Sequence, residues 1–330
     1  MYEILLGEYI KQERIKQGVT QEKLCEGICE SITVSRMENG KQMPAYHRIR
    51  AFLQSLGLPD DRYFALLSKN ELAIKTLEDE IRADIVRLQR AAPEDQPAIR
   101  AAGLKKLDKL EQLAEEGDKI IEQCILGERA ALGRPDGSYS PEERLEMSKE
   151  ALYKTAPQCD LEEINLGLYT YEETALLNQI AVAYEGMGQH KKAIDIYSQL
   201  LKYVKKHYSE MSRYAGKFSL ISCNYALVLY RLGRYDEAIE VADMGRKTCV
   251  EYAHYQSLPG LLDIIGGCYF HKGDLERCKE YYRDAYALYR VTGTGFPLKR
   301  MQKKSWGWNS PFNTFYYRLL AFPPGLPAPT

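Results

Sequence analysis

The chain lacks long hydrophobic runs, an excess of charge of either sign, and the short signatures of catalysis. No stretch approaches the ~18 consecutive apolar residues of a membrane span. The start, Met1 to Leu6, is a brief apolar segment interrupted by Glu3, so no signal peptide is expected and the cytoplasm is the expected compartment. A formal net charge of −1 excludes a protein that coats nucleic acid through bulk charge. No glycine-rich phosphate loop, HExxH or nucleophile elbow is present, so neither an enzyme nor a cofactor is expected. The eight cysteines are scattered, several at helical core spacing, and read as buried free thiols. Cys25 and Cys29 are four apart on one expected helix face, but no second pair of ligands completes a metal site. The five histidines do not cluster, and the pairs Glu142/Glu143, Glu162/Glu163 and Glu172/Glu173 fall at expected helix starts, where they complement the dipole.

Period-2 alternation is also missing, so the fold class expected is all-α. Leu6 and Ile10 belong to a first helix ending near Gly18. Thr20 is placed to cap a second, with Leu24 and Ile28 inward. Ser31 caps or begins a third, with Val34 and Met37 inward and a stop at Gly40. Ile49, Phe52, Leu53 and Leu56 mark a fourth, ending at Gly57. Two short helices joined by a turn across Thr20 to Pro44 have the layout of a helix-turn-helix that reads DNA. Eight Lys/Arg against seven Glu in the first fifty residues is a weak positive balance, which favours two copies per DNA site. Ser68 and Glu71 form a capping box for a long helix striped by Leu77, Ile81, Ile85 and Leu88. That stripe buries either against the next helices or against a second subunit.

The chain then repeats. Ile180, Ala181, Tyr184, Gly188, Ala193 and Tyr197 share their spacing with Tyr225, Ala226, Leu229, Gly233, Ala238 and Ala242, and with Ile265, Gly266, Tyr269, Gly273, Cys278 and Tyr282. Small residues stand where two helix axes approach, and the glycine ends the first helix of each pair. This is the helix-pair pattern of tetratricopeptide repeats. Two less regular pairs precede, at 69–92 with 97–115 and 118–133 with 141–156, giving five pairs in a right-handed superhelix. The expected division is a helix-turn-helix domain at 1–66, a linker helix at 67–92, a repeat domain at 93–290 and an aromatic, proline-rich tail at 291–330. The tail, with Trp306 and Trp308, reads as a loosely ordered segment or as the product of an altered reading frame.

The run TQEKL…SRMENGK resembles the Xre-type module of phage-repressor-like regulators. With its Leu-Cys-Glu-Gly-Ile-Cys segment and the repeats that follow, the chain up to about residue 290 resembles the RRNPP (Rgg/PlcR/PrgX-like) peptide-responsive quorum-sensing regulators. The resemblance implies that Gln21 holds a phosphate or base edge. By the geometry of the motif, Ser31, Ile32 and Thr33 open the recognition helix. Ile32 suits a thymine methyl, the hydroxyls of Ser31, Thr33 and Ser35 suit polar contacts, Arg36 suits guanine or the backbone, and Lys41 suits a phosphate. Alternatively, Thr33 or Ser35 satisfies local backbone, and Arg36 pairs with Glu38 or Glu22.

In the repeats, the first helix of each pair lines the concave face. This places Asn178, Val182 and Glu185 inward, then Cys223, Leu227 and Tyr230 with Asn224 beside them, then Asp263, Gly267 and Phe270. An asparagine offers both donor and acceptor to a peptide bond. The resemblance implies that Asn178 and Asn224 hold a short signalling peptide; the alternative for both is a hydrogen bond between helices. The expected protein is a homodimeric transcriptional regulator with a DNA operator and a peptide as partners. The other expectation is an adaptor or protein-sensing repressor whose repeats hold a partner protein.

Overall fold

The computed structural model describes residues 2–59, 68–91, 93–133, 138–207 and 211–291. Among the described residues there are fourteen α-helices and no strand. None of these helices is long and apolar enough to cross a membrane. The tail from residue 292, with Trp306 and Trp308, lies outside the described residues.

The head consists of α1 (Tyr2–Lys16), α2 (Gln21–Cys25), α3 (Ser31–Glu38) and α4 (Tyr46–Ser55). Leu6, Ile10, Leu24, Val34, Met37, Ile49, Phe52, Leu53 and Leu56 form its apolar core. Thr20 caps α2, its hydroxyl accepting the Lys23 amide at 3.1 Å. Helix α3 starts at Ser31, but Glu30 occupies the cap position without a side-chain capping bond. At its end the amides of Gly40 and Lys41 reach back to Met37 and Arg36, closing the helix as the Asn-Gly signal requires. One expectation is corrected here: Ile28 and Cys29 do not extend α2, which stops at Cys25. Gly27 takes φ +73° and turns the chain, so Cys25 and Cys29 do not share a helix face. The turn is fixed by packing as well. A Cβ on Gly27 would lie 1.9 Å from the Thr155 carbonyl oxygen, so only glycine permits this approach.

The remaining helices form five antiparallel pairs: α5 (Lys69–Arg90) with α6 (Gln96–Leu113), α7 (Lys119–Leu132) with α8 (Pro141–Thr155), α9 (Tyr171–Gly186) with α10 (His190–His207), α11 (Met211–Arg231) with α12 (Tyr235–Glu251), and α13 (Leu258–His271) with α14 (Leu275–Val291). Capping boxes at Ser68/Glu71, Ser140/Glu143 and Thr170/Glu173 start α5, α8 and α9. The stripe on α5 resolves in favour of the neighbouring helices: Ile81, Ile85 and Leu88 pack with Leu107, Leu110 and Ile121. The repeat glycines Gly188, Gly233 and Gly273 all have φ between +73° and +79°. Two of them have open space around a would-be Cβ, so the left-handed backbone, and not crowding, selects glycine there. The small residues Ala181, Ala226, Ala193, Ala238 and Cys278 are fully buried where helices meet. Glu162 and Glu163 precede only a short 3-10 turn, Ile164–Leu166, and do not open an α-helix.

Candidate functional site

The face of the head expected to read DNA is largely free. Ile32 is 49% exposed, and Arg36 and Lys41 are exposed. Ser31, Thr33 and Ser35 are half-buried. Glu38 is not available to Arg36. Its buried carboxylate takes Arg14 on both oxygens, at 2.6 and 2.9 Å, and Gln21 Nε2 at 2.7 Å. This clamp ties α1, α2 and α3 together and orients Gln21, leaving its second amide hydrogen and its carbonyl for a ligand. Beside the start of α3, burial pushes the Cys29 thiol up to about 11.

The opposite face of the head rests on the repeats through α4. Tyr46 donates its amide to Glu71 Oε1 at 2.6 Å, and His47 Nε2 lies 2.8 Å from Asp118 Oδ2. Arg50 makes a two-pronged pair with Glu78 at 2.7 and 3.2 Å. Gln54 Oε1 accepts the Tyr171 amide at 3.1 Å, and the Ser55 carbonyl accepts His207 Nε2 at 2.6 Å. Helix α4 is therefore buried on two sides, by the head core and by the repeats. The sequence reading took only its apolar stripe. The detectable signal was a second stripe of long polar side chains, His47, Arg50 and Gln54, on a helix whose other face was already apolar.

Behind this seam lies a half-buried charge cluster. Arg82 reaches Glu172 at 2.8 Å and Glu128 at 3.4 Å. Burial opposes ionisation of Glu172, but Arg82, Lys217 and Arg50 override it and hold its carboxyl at about 2. Burial raises Glu128 to about 7 despite Arg82, with Glu172 adding repulsion. Burial lowers Lys217 to about 7. Glu172 thus does more than complement a helix dipole, which was the role read from sequence.

On the repeat side, α9, α11 and α13 lie side by side. The two asparagines are brought together: Asn224 Nδ2 donates to Asn178 Oδ1 at 3.1 Å. The interhelical bond is thus realised, and it leaves Asn178 an amide donor and Asn224 a carbonyl acceptor. Glu185 is paired with Arg231. Val182 and Tyr230 are buried in the repeat core, while Cys223, Leu227, Asp263 and Phe270 are half-buried. Gly260 and Gly267 let α13 approach α11: a Cβ on them would meet Cys223 Sγ at 3.3 Å and the Tyr230 ring at 3.1 Å. Tyr230 also turns its hydroxyl to His271 Nε2 at 3.4 Å. Burial, reinforced by Asp263, lifts the Cys223 thiol to about 12, so it behaves as a small apolar group. Among the described residues no group of three or more His, Cys, Asp or Glu could hold a metal ion.

A helix-turn-helix head carried on a stack of tetratricopeptide-type helix pairs defines the class of the molecule. Residues 5–63 match the helix-turn-helix domain family, and residues 158–304 match the RNPP family C-terminal domain. The chain thus carries a match to each of these two families, one over the head and one over the later repeats. Among solved structures it is similar to PlcR of Bacillus thuringiensis in complex with the peptide PapR7 and DNA, at 21% identity and a TM-score of 0.56, covering 88% of this chain and 96% of that one. The apo form of the same PlcR aligns at 19% identity and a TM-score of 0.54, covering 91% and 98%. No curated protein sequence matches significantly.

Proposed function

We propose that the chain is a DNA-binding transcriptional regulator, a non-enzymatic cytoplasmic homodimer, switched by a short signalling peptide held across α9, α11 and α13. The observation that carries the peptide site is the Asn178–Asn224 pair. With one bond spent on each other, the two amides offer one donor group and one acceptor group side by side. That matches the carbonyl and N–H of an extended peptide whatever its side chains. Val182, Leu227 and Phe270 supply apolar neighbours for selection, and Glu185, Cys223, Tyr230 and Asp263 complete the groove. The DNA contacts are Gln21, Ser31, Ile32, Thr33, Ser35, Arg36 and Lys41. PlcR, similar in fold, is found with a peptide and DNA, which supports this reading. Because Ile32, Arg36 and Lys41 are exposed while α4 meets the repeats, the peptide acts on where the head is held, not by covering it.

The test is to select binders from a random heptapeptide library on the full chain and titrate them calorimetrically. Asn178→Ala is expected to lose at least tenfold in affinity; equal affinity would reject its role. An adaptor that holds a partner protein would yield no heptapeptide binder and no steep salt dependence of DNA binding.

A further inference from the structure

Three contacts join α9 to α11 with one common offset in sequence. Tyr171, Asn178 and Glu185 are seven apart on α9, and Lys217, Asn224 and Arg231 are seven apart on α11. Seven residues are just under two helical turns, so each trio forms one stripe. Lys217 donates to the Tyr171 carbonyl, Asn224 to Asn178, and Arg231 to Glu185, each across 46 residues. Every donor is on α11 and every acceptor on α9. A ladder of this kind is satisfied in one register, and a slide of either helix by a turn breaks all three rungs together.

The lowest rung touches the head. Lys217 is buried, with its ammonium 3.1 Å from the centre of the Tyr171 ring and 3.4 Å from Thr174 Oγ1. Tyr171 is the first residue of α9, so its amide has no partner within the helix. That amide goes to Gln54 of the head. One residue is thus held through its carbonyl by α11 and through its amide by α4. The central rung is the asparagine pair of the groove.

We infer that this ladder couples the groove to the DNA-reading head, with Lys217 and Arg231 as positioning residues that set the register of α11 on α9. A ligand at the central rung is sensed at Gln54 through Tyr171. The coupling rests on the peptide reading only for the nature of the ligand; the ladder itself is testable without one.

Hydrogen exchange of the full chain provides the first arm. Arg231→Gln, at the exposed end of the ladder, is expected to raise exchange at least threefold in residues 171–178 and in α4. Lys217→Met should do the same and Lys217→Arg should restore protection. A response to Arg231→Gln confined to the turns around 185 and 231 would overturn the ladder. The second arm uses a heptapeptide selected on the wild-type chain. It is expected to alter exchange in α4, and Lys217→Met is expected to keep its affinity within threefold while losing that response. A full response of α4 in Lys217→Met would also overturn the coupling. Failure to select any heptapeptide would count against the peptide reading alone, because the ligand-free arm still decides the ladder.

Discussion

The interior of the head and the seam beneath it are built in opposite ways. Inside the head, Leu6, Ile10, Leu24, Val34, Met37 and Phe52 meet through apolar contact. Each such side chain contributes about 1.5–3 kcal/mol on burial, without directional demands. At the seam, α4 meets the repeats through directed polar contacts of Tyr46, His47, Arg50, Gln54 and Ser55, beside the packing of Gly27 on Thr155 and of Leu168 on the head core. A typical net hydrogen bond contributes only about 0.5–1.5 kcal/mol and is lost when its angle changes. The head core is thus held by buried area, and its attachment by contacts that are satisfied in one geometry. A joint of that kind can be reset by a ligand with a differential affinity of a few kcal/mol.

The contrast can be broken from either side. The largest effect is expected for Phe52→Ala, which opens a cavity in the head core and should cost about 3–5 kcal/mol. Thermal melts should show the head lost while the repeats persist, and a single unchanged transition would show that head and repeats do not differ in this way. Next comes Arg36→Ala, expected to weaken specific DNA binding by about 1–3 kcal/mol with the fold intact. Fluorescence anisotropy on a duplex selected from a randomised pool measures it, and unchanged affinity would remove Arg36 from the reading face.

The buried lysine gives a pH test. Burial lowers Lys217 to about 7 from its ordinary 10.5, so between these values the unfolded chain binds a proton that the folded chain does not. Stability from this group therefore rises with pH across that window, by at most about 1.4 kcal/mol per pH unit. Denaturation of the wild type relative to Lys217→Met should show the difference; parallel pH curves would contradict the burial. The smallest effect is expected for Gln54→Ala, about 1 kcal/mol from one seam bond. It should loosen α4 in hydrogen exchange without unfolding the head core, and cooperative loss of the whole head would blur the distinction between core and seam.

Features written in local sequence were legible. Thr20, Gly40 and the capping box at Ser68 and Glu71 act within four residues of themselves, so their residue types suffice to place helix ends. The repeats were legible because small residues and glycines recur at fixed spacing. The second helix was overextended because Leu24 and Ile28 have helical spacing; the decisive fact, Gly27 against Thr155, involves a residue far along the chain. The same limit hid the seam. The contact of His207 with Ser55 spans 152 residues, and nothing local marks either partner. Asn178 and Asn224 stand out in the sequence as donor–acceptor side chains, but their mutual bond depends on the register of two helices, which spacing within each helix does not fix.

The most direct test is the affinity of the full-length wild-type chain for its selected DNA duplex, measured with and without a saturating library-selected heptapeptide. The expected result is a change of at least tenfold, matched by an equal change in peptide affinity when DNA is present. Identical DNA affinity in both conditions, with the peptide demonstrably bound, would contradict a head whose placement is set from the groove.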